Sequence, residues 1–285
     1  MLKDEQYGGP DSSSGTTGFV NFPVPVDFAG GTGSPVFVHQ NYPGERAKGG
    51  DEGAPTVPFS GLAFTAPFRI LSDEGVSALK LVIKDNEEHC RSLPGRAAKS
   101  LRGLGYRSKF IRDLNYSPSV LSHLSKMSGC PLGPHNMPSN LSQTNFGEIG
   151  SKKPVDVWHI DSVDYVLVIL LSDPTGMVGG ELQVARLNGG DAALAIQKIN
   201  REGISEEEMD VASYPGEGYG ILMQGSRIAH SVSEVKEARE RRLTVVNSYH
   251  NANPFKEDKT RFATFSDVDG FPTARYEYAR HKAWR

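Results

Sequence analysis

Between residues 72 and 129 the apolar positions recur at helical spacing. Val76, Leu79, Val82 and Ile83 follow Ser72-Asp73-Glu74, which puts a capping hydroxyl and two carboxylates at the positive end of a helix dipole. This predicts a helix from there through about Arg91. A second helix is predicted after Ser117-Pro118, a cap followed by a first-turn proline, with Val120, Leu121, Leu124 and Met127 as its stripe and Gly129 at its stop. Stripes of this width face a core, so both read as packing helices.

After Pro131 the spacing becomes that of strands. Leu141 to Phe146, Val155 to Ile160, Tyr165 to Leu171, Glu181 to Ala185, Gly220 to Met223, Ile228 to Val232, Leu243 to Tyr249 and Phe262 to Phe265 are short, rich in β-branched or aromatic residues and bounded by turn residues. Eight such segments suit a double-sheet jelly roll, so the expected fold is mainly β with packing helices. One stretch breaks the pattern. Asp191 to about Arg201 reads as helical through Ala192, Ala193, Leu194, Ile196 and Ile199, and Ile204 to Met209 continue it as an acidic insert, expected to form a lid or a surface excursion.

The first sixty residues follow neither period. Clusters such as Gly8-Gly9-Pro10, Ser12-Ser13-Ser14-Gly15 and Gly30-Gly31-Thr32-Gly33 separate short apolar scraps, among them Val24 to Phe28 and Val36 to His39. This composition predicts an irregular N-terminal arm over 1–60, either disordered or adding edge strands or a flap, ahead of one catalytic domain over 61–285.

Charge and cysteine content narrow the setting. The 31 basic and 34 acidic residues are interspersed and leave a net charge of −3, with no basic stripe for a nucleic acid. The chain lacks an apolar run of membrane-spanning length, and Cys90 and Cys130 are too few for a disulfide framework. A cytoplasmic protein acting on a small molecule is expected, with no nucleic-acid or membrane partner; nothing in the pattern specifies an oligomeric state.

The candidate chemistry centres on His159-Ile160-Asp161 and His230. Residues two apart on a strand project to the same side, so His159 and Asp161 can reach a common point. His230, at the end of another apolar strand segment, can bring a second imidazole. Two imidazoles and one carboxylate occupy one face of an octahedron and leave three positions open, the ligand set of non-haem Fe(II) oxygenases. Arg242 and Thr244 share one side of the following strand and offer a guanidinium fork and a hydroxyl to a carboxylate. Arg241 competes for the inward position, and the two-residue spacing to Thr244 selects Arg242. Gly179-Gly180-Glu181-Leu182 opens the strand after the first ligands, and Gly218-Tyr219-Gly220 leads through Gly225 to His230.

With these residues assembled, the chain resembles the Fe(II)/2-oxoglutarate-dependent dioxygenase superfamily from about Gln143 to Thr244. The resemblance implies a double-stranded β-helix core of the jelly-roll, cupin-like kind, with His159, Asp161 and His230 as iron ligands. By the same resemblance Arg242 pairs with the distal carboxylate of 2-oxoglutarate and Thr244 hydrogen-bonds it. The implied activity couples oxidative decarboxylation of 2-oxoglutarate by O2 to oxidation of a substrate C–H bond, with hydroxylation ahead of desaturation or cyclisation. Because Asp161 is a carboxylate rather than a small residue, hydroxylation also outranks halogenation.

Substrate contacts are fainter in the sequence. Gln143 and Asn145 alternate on the strand before the ligand strand and can offer amides to a polar molecule or to the co-substrate, while Trp158 flanks His159. Arg107, Lys109 and Arg112 bring positive charge ahead of the core, suited to an acidic or amino-acid-like metabolite. His135 and His250 lie in turn-like stretches where exposure is the default. Two other readings share the same barrel: a cupin-like metal oxidase that does not use 2-oxoglutarate, and a non-catalytic binding protein. Neither requires a carboxylate anchor at Arg242-x-Thr244.

Overall fold

The computed structural model describes residues 37–39, 62–93, 96–187 and 191–284. Of the expected arm only Phe37–His39 falls among them, paired antiparallel with Leu62–Thr65 at one edge of a ten-stranded sheet. That is the edge strand expected of the scrap Val36 to His39; Val24 to Phe28 lies outside the described residues.

The strand Tyr165–Leu170 accounts for the layering. All six of its residues are buried, as an unbroken apolar run on a strand covered on both faces requires. Leu167 and Ile169 share a cluster with Val76, Leu79, Val120 and Leu124 of the two packing helices. Val166, Val168 and Leu170 turn the other way, toward Leu182 and Val184 of a smaller sheet. The result is helices, large sheet and small sheet in three layers.

From the edge inward, the large sheet runs Phe37–His39, Leu62–Thr65, Tyr219–Met223, Tyr165–Leu170, Arg242–Asn251, Gln143–Gly147, Ala97–Leu101 and Arg91–Leu93, with Phe68–Arg69 and Leu132–Pro134 attached beside it. The small sheet runs Met209–Ala212, Leu182–Ala185, His230–Val232, Asp156–His159. On Arg242–Asn251, Leu243 and Val245 join the helix-side core, whereas Arg242, Thr244, Val246 and Ser248 line a cavity between the sheets. On Gln143–Gly147 the same alternation puts Phe146 in the core and Gln143 and Asn145 on the cavity wall.

The first predicted helix begins as expected, with the Ser72 side chain accepting from the Gly75 N–H, but it ends at Lys84. Asp85-Asn86-Glu87-Glu88 breaks the apolar stripe, and the buried Asn86 amide donates to the Val82 carbonyl at 2.8 Å, satisfying a helix-end acceptor. Arg91 instead opens a strand. The second helix, Pro118–Ser128, stops at Gly129 with φ 69°, a left-handed cap suited to glycine. Two short helices, Leu104–Arg107 and Lys109–Tyr116, had no stripe long enough to announce them.

The insert forms the predicted helix but departs from its prediction after it. Ala192–Glu202 is a helix capped by Asp191, but Met209–Ala212 is a strand paired with Leu182–Ala185, so the acidic segment returns the chain to the ligand-bearing sheet. No residue of the insert helix is fully buried and none lines the cavity, which makes it a surface excursion.

The predicted strand Phe262 to Phe265 is a helix, Phe262–Asp269, and a second helix, Phe271–Trp284, follows it. Phe262, Phe265 and Val268 recur at three-residue intervals, and Phe265 and Val268 close one side of the cavity. Arg102 ties this pair down through two hydrogen bonds to Asp269, at 2.8 and 2.7 Å.

His135 and His250 are buried, contrary to the expectation of exposure: His250 lies within the strand Arg242–Asn251 and not in a turn, and the last helix brings His281 against both rings. His281 from that helix stacks on His135 with 4.3 Å between ring centroids, and Thr260 Oγ1 lies 3.1 Å from a ring nitrogen of each. No helix among the described residues is long and apolar enough to cross a membrane.

Candidate metal and carboxylate site

The three candidate ligands converge through sheet register. His230 and His159 are cross-strand partners in the small sheet, with ring centroids 4.2 Å apart. The ligand strand ends at His159, so Asp161 arrives by a different route from the strand pleat expected for it: its N–H donates to the Gly225 carbonyl at 2.9 Å, which turns the chain back over the imidazoles. Asp161 Oδ1 then lies 3.4 Å from His159 Nε2, and Oδ2 lies 3.6 Å from His230 Nε2. One donor atom from each residue falls within 4.8 Å of the others, an arrangement that can hold a metal ion.

Each imidazole has a fixed tautomer. His159 Nδ1 donates to the Val157 carbonyl at 2.6 Å and His230 Nδ1 to the Ile228 carbonyl at 3.1 Å, leaving both Nε2 lone pairs toward Asp161. Burial and the neighbouring His159 push the His230 pKa down to about 4, so His230 is neutral at physiological pH. Burial opposes charge on His159 as well, but the Asp156 and Asp161 carboxylates outweigh it and move that pKa upward. Burial likewise opposes charge on Asp161, yet the two histidines and Arg96 hold its carboxyl well below the usual range. The three donor atoms that converge here are those a divalent cation would take.

These shifts predict the acid response of the metal-free protein. His230 and His135, both held below the ordinary histidine value chiefly by burial, bind fewer protons folded than unfolded. Between about pH 6.5 and pH 4 the unfolded chain takes up those protons first, so stability falls as pH falls; His230 alone contributes about 2 kcal/mol of loss by pH 5. The raised pKa of His159 acts above about pH 6.5 and leaves this window untouched. The melting temperature should drop between pH 7 and pH 5, and a melting temperature that holds or rises would refute the burial argument.

Arg242 lines the same cavity with 1% of its surface exposed. Its Nη1 donates to Thr244 Oγ1 at 3.2 Å, while Nε and Nη2 are buried with no hydrogen-bond partner among the described residues. An unspent buried guanidinium beside a hydroxyl fits a carboxylate. Arg241 points away as the alternation predicted, bonded twice to Glu87 at 2.6 Å with its guanidinium over the Phe146 ring. Two glycines keep the necessary space. A Cβ on Gly225 would stand 2.0 Å from Asp161 Oδ2, and one on Gly180, which has φ +75°, would stand 2.7 Å from Arg242 Cδ.

Gln143 and Asn145 both line the cavity. Asn145 Oδ1 accepts from Ser100 Oγ and Gln143 Nε2, both at 3.1 Å, which leaves its amide N–H groups as donors for a carboxylate. Trp158 is half-buried and off the cavity wall; Arg107 is exposed, 2.9 Å from His89 Nε2, and also off the wall. Lys109 pairs with Asp113 and Arg112 with the Gly105 carbonyl, so none of the three early cations reaches the site.

The structure adds residues that pattern reading passed over. Arg96 donates to Asp161 Oδ1 at 3.2 Å and to Asp156 Oδ1 at 3.4 Å, and Tyr214 and Arg102 also line the cavity. Arg96 follows Pro94-Gly95 in the sequence, just ahead of the strand Ala97–Leu101, and carries no periodic signal. Asp156 carried one: an acidic residue three positions before a strand histidine, on a strand otherwise apolar.

No protein-family model and no curated protein matches the chain. Solved structures do. The non-heme α-ketoglutarate-dependent epimerase SnoN from nogalamycin biosynthesis is 14% identical, the alignment covering 70% of this chain and 88% of that one with a TM-score of 0.52. The α-ketoglutarate-dependent carbocyclase SnoK, also from nogalamycin biosynthesis, is 14% identical over 67% and 80% of the two chains at a TM-score of 0.49. HygX from Streptomyces hygroscopicus, solved with nickel and 2-oxoglutarate bound, is 12% identical over 69% and 85% at 0.46. The match to SnoN establishes a shared fold, and the resemblance read from the residues is borne out at that level.

Proposed function

We propose that this chain is an Fe(II)/2-oxoglutarate-dependent dioxygenase that oxidises a C–H bond of a small molecule, and that its two facing sheets form a double-stranded β-helix. The observation that carries the reading is the pairing of two incomplete sites in one cavity. Among the described residues, Asp161 Oδ2 is buried without a hydrogen-bond partner beside the two imidazole Nε2 atoms, and Arg242 is buried without a carboxylate bonded to it. A divalent metal and a dicarboxylate complete both.

His159, Asp161 and His230 would hold the iron, and their Nδ1 bonds and the Gly225 carbonyl keep them in place before it binds. Arg242 and Thr244 would receive the distal carboxylate of 2-oxoglutarate, and Asn145 can donate to the same molecule. When bound, the iron supplies the O2-activating redox chemistry that couples decarboxylation of 2-oxoglutarate to C–H oxidation. Val166, Val168, Leu182, Met223 and Val246 line the same cavity and exclude water from it. Hydroxylation is the simplest outcome of such an oxidation. Every residue given a role lies within 61–285, the span proposed as the catalytic domain, with 1–60 as an appended arm.

The test is spectroscopic and anaerobic. A weak visible charge-transfer band should appear only when Fe(II) and 2-oxoglutarate are both present, and succinate should form once O2 and a substrate are admitted. Iron-loaded protein that does not bind 2-oxoglutarate would overturn the reading and favour a metal oxidase of the same fold.

A further inference from the structure

We infer that the substrate oxidised in this cavity carries no anionic group. The inference deepens the reading above and rests on it. Among the described residues, three cations line the cavity: Arg96, Arg102 and Arg242. What each is already bonded to decides how many anions the cavity can accept.

Arg102 is spent. Its side chain is 4% exposed; Nε donates to Asp269 Oδ1 at 2.8 Å, Nη2 to Asp269 Oδ2 at 2.7 Å, and Nη1 to the side-chain oxygens of Asn140 and Gln143. The fully buried Glu277 shares Ser139 with Asp269, so a further acid stands in the surroundings of Arg102. Arg96 is held by Asp156 and Asp161. If a metal takes Asp161, the buried Asp156 still balances the Arg96 charge. Arg242 is the one cavity cation without a carboxylate among the described residues, and 2-oxoglutarate is its partner in the proposed function.

The loaded cavity is therefore balanced. The two charges of a divalent metal are met by Asp161 and one carboxylate of the co-substrate, Arg242 by the other carboxylate, and Arg96 by Asp156. Among the described residues no cation of the cavity wall is left to meet a second anion, and burying one unmet is strongly unfavourable. The wall away from Arg242 agrees: Val163, Val166, Phe265 and Val268 are apolar, and the Asn140 amide already donates to Ser248 Oγ at 2.9 Å. Arg261 is exposed, bonded to Ser162 Oγ, and off the cavity wall. The acidic metabolite suggested by Arg107, Lys109 and Arg112 thus gives way to an uncharged or cationic one.

The experiment uses the full chain loaded anaerobically with Fe(II) and 2-oxoglutarate, into which acetate, inorganic phosphate and glucuronate are each titrated. The charge-transfer band and the 2-oxoglutarate Kd are read together. Each anion should either leave both unchanged or act by displacement, raising the apparent Kd in proportion to its concentration while the band fades. An anion that perturbs the band with the 2-oxoglutarate Kd unchanged reveals a second anion seat and overturns the inference. Under O2, succinate release that is faster with a carboxylate-bearing compound than with its amide counterpart would also overturn it. Absence of the band from iron-loaded protein is a different failure, that of the function on which the inference stands.

Discussion

Replacing Gly225 with alanine should leave a folded protein that binds divalent metal at least about tenfold more weakly, toward the upper end of the 10–100-fold range usual for residues that support metal ligands. The cause is clearance. An alanine Cβ would stand 2.0 Å from Asp161 Oδ2, 2.8 Å from its Cγ and 3.0 Å from its Cβ, so the whole carboxylate must move by roughly 1 Å to restore van der Waals contact. Metal–ligand distances tolerate only about 0.2 Å. Asp161 cannot retreat along the backbone, because its N–H is bonded to the Gly225 carbonyl itself. Gly225 is absent from the glycines with positive φ, so alanine can adopt its backbone without strain and the fold should survive. Calorimetric titration with Ni(II), alongside far-UV circular dichroism, separates the two effects. A Kd within threefold of the parent protein would show that the Asp161 carboxylate position is not what the ion requires.

Gly225 also shows what was legible in the sequence. The anchor could be read because it depends on strand parity: Arg242 and Thr244 share a face and Arg241 takes the other. The buried strand Tyr165–Leu170 could be read because it is apolar without a break, whereas Asp161 reaches the histidines through its bond to Gly225 and not through the pleat. The packing helices could be read where a stripe and its caps coincided, at Ser72 and Gly129. What escaped depends on contacts distant in sequence. Phe262-Ala263-Thr264-Phe265 fits either a short strand or one face of a helix, and Arg102, far upstream, bonds Asp269 at the end of the helix it became. The last helix has aromatic and charged residues on every side, so no stripe marked it, and without it His135 and His250 could only be read as exposed. Arg96 reaches Asp161 across 65 residues, a separation that periodicity does not span.

Arg242→Met should move stability and co-substrate binding in opposite directions. The wild-type guanidinium is 1% exposed and, among the described residues, bonds only Thr244 and keeps Nε and Nη2 unpaired. Burial, opposed by Tyr214 and by the Glu181 and Asp156 carboxylates, none of which bonds the guanidinium, still lowers its pKa, the signature of a charge the fold compensates incompletely. Methionine has comparable length without the charge, so the metal-free, ligand-free variant should melt at or above the wild-type temperature, as replacement of uncompensated buried charge by apolar side chains often does. Binding should suffer instead. Losing the partner of a buried carboxylate costs about 2–5 kcal/mol, a loss of roughly 30-fold to several thousand-fold in 2-oxoglutarate affinity, with metal affinity unchanged. The same logic fixes a third observable. In wild-type protein held with a redox-inert divalent ion, 2-oxoglutarate should raise the melting temperature by mass action, and in Arg242→Met it should not. A variant that melts lower and still binds 2-oxoglutarate would mean that Arg242 serves the fold rather than the ligand. The opposite pair of shifts would mean that the chain carries an uncompensated charge, and a glycine at φ +75° to make room for it, because the missing half of the ion pair arrives with the co-substrate.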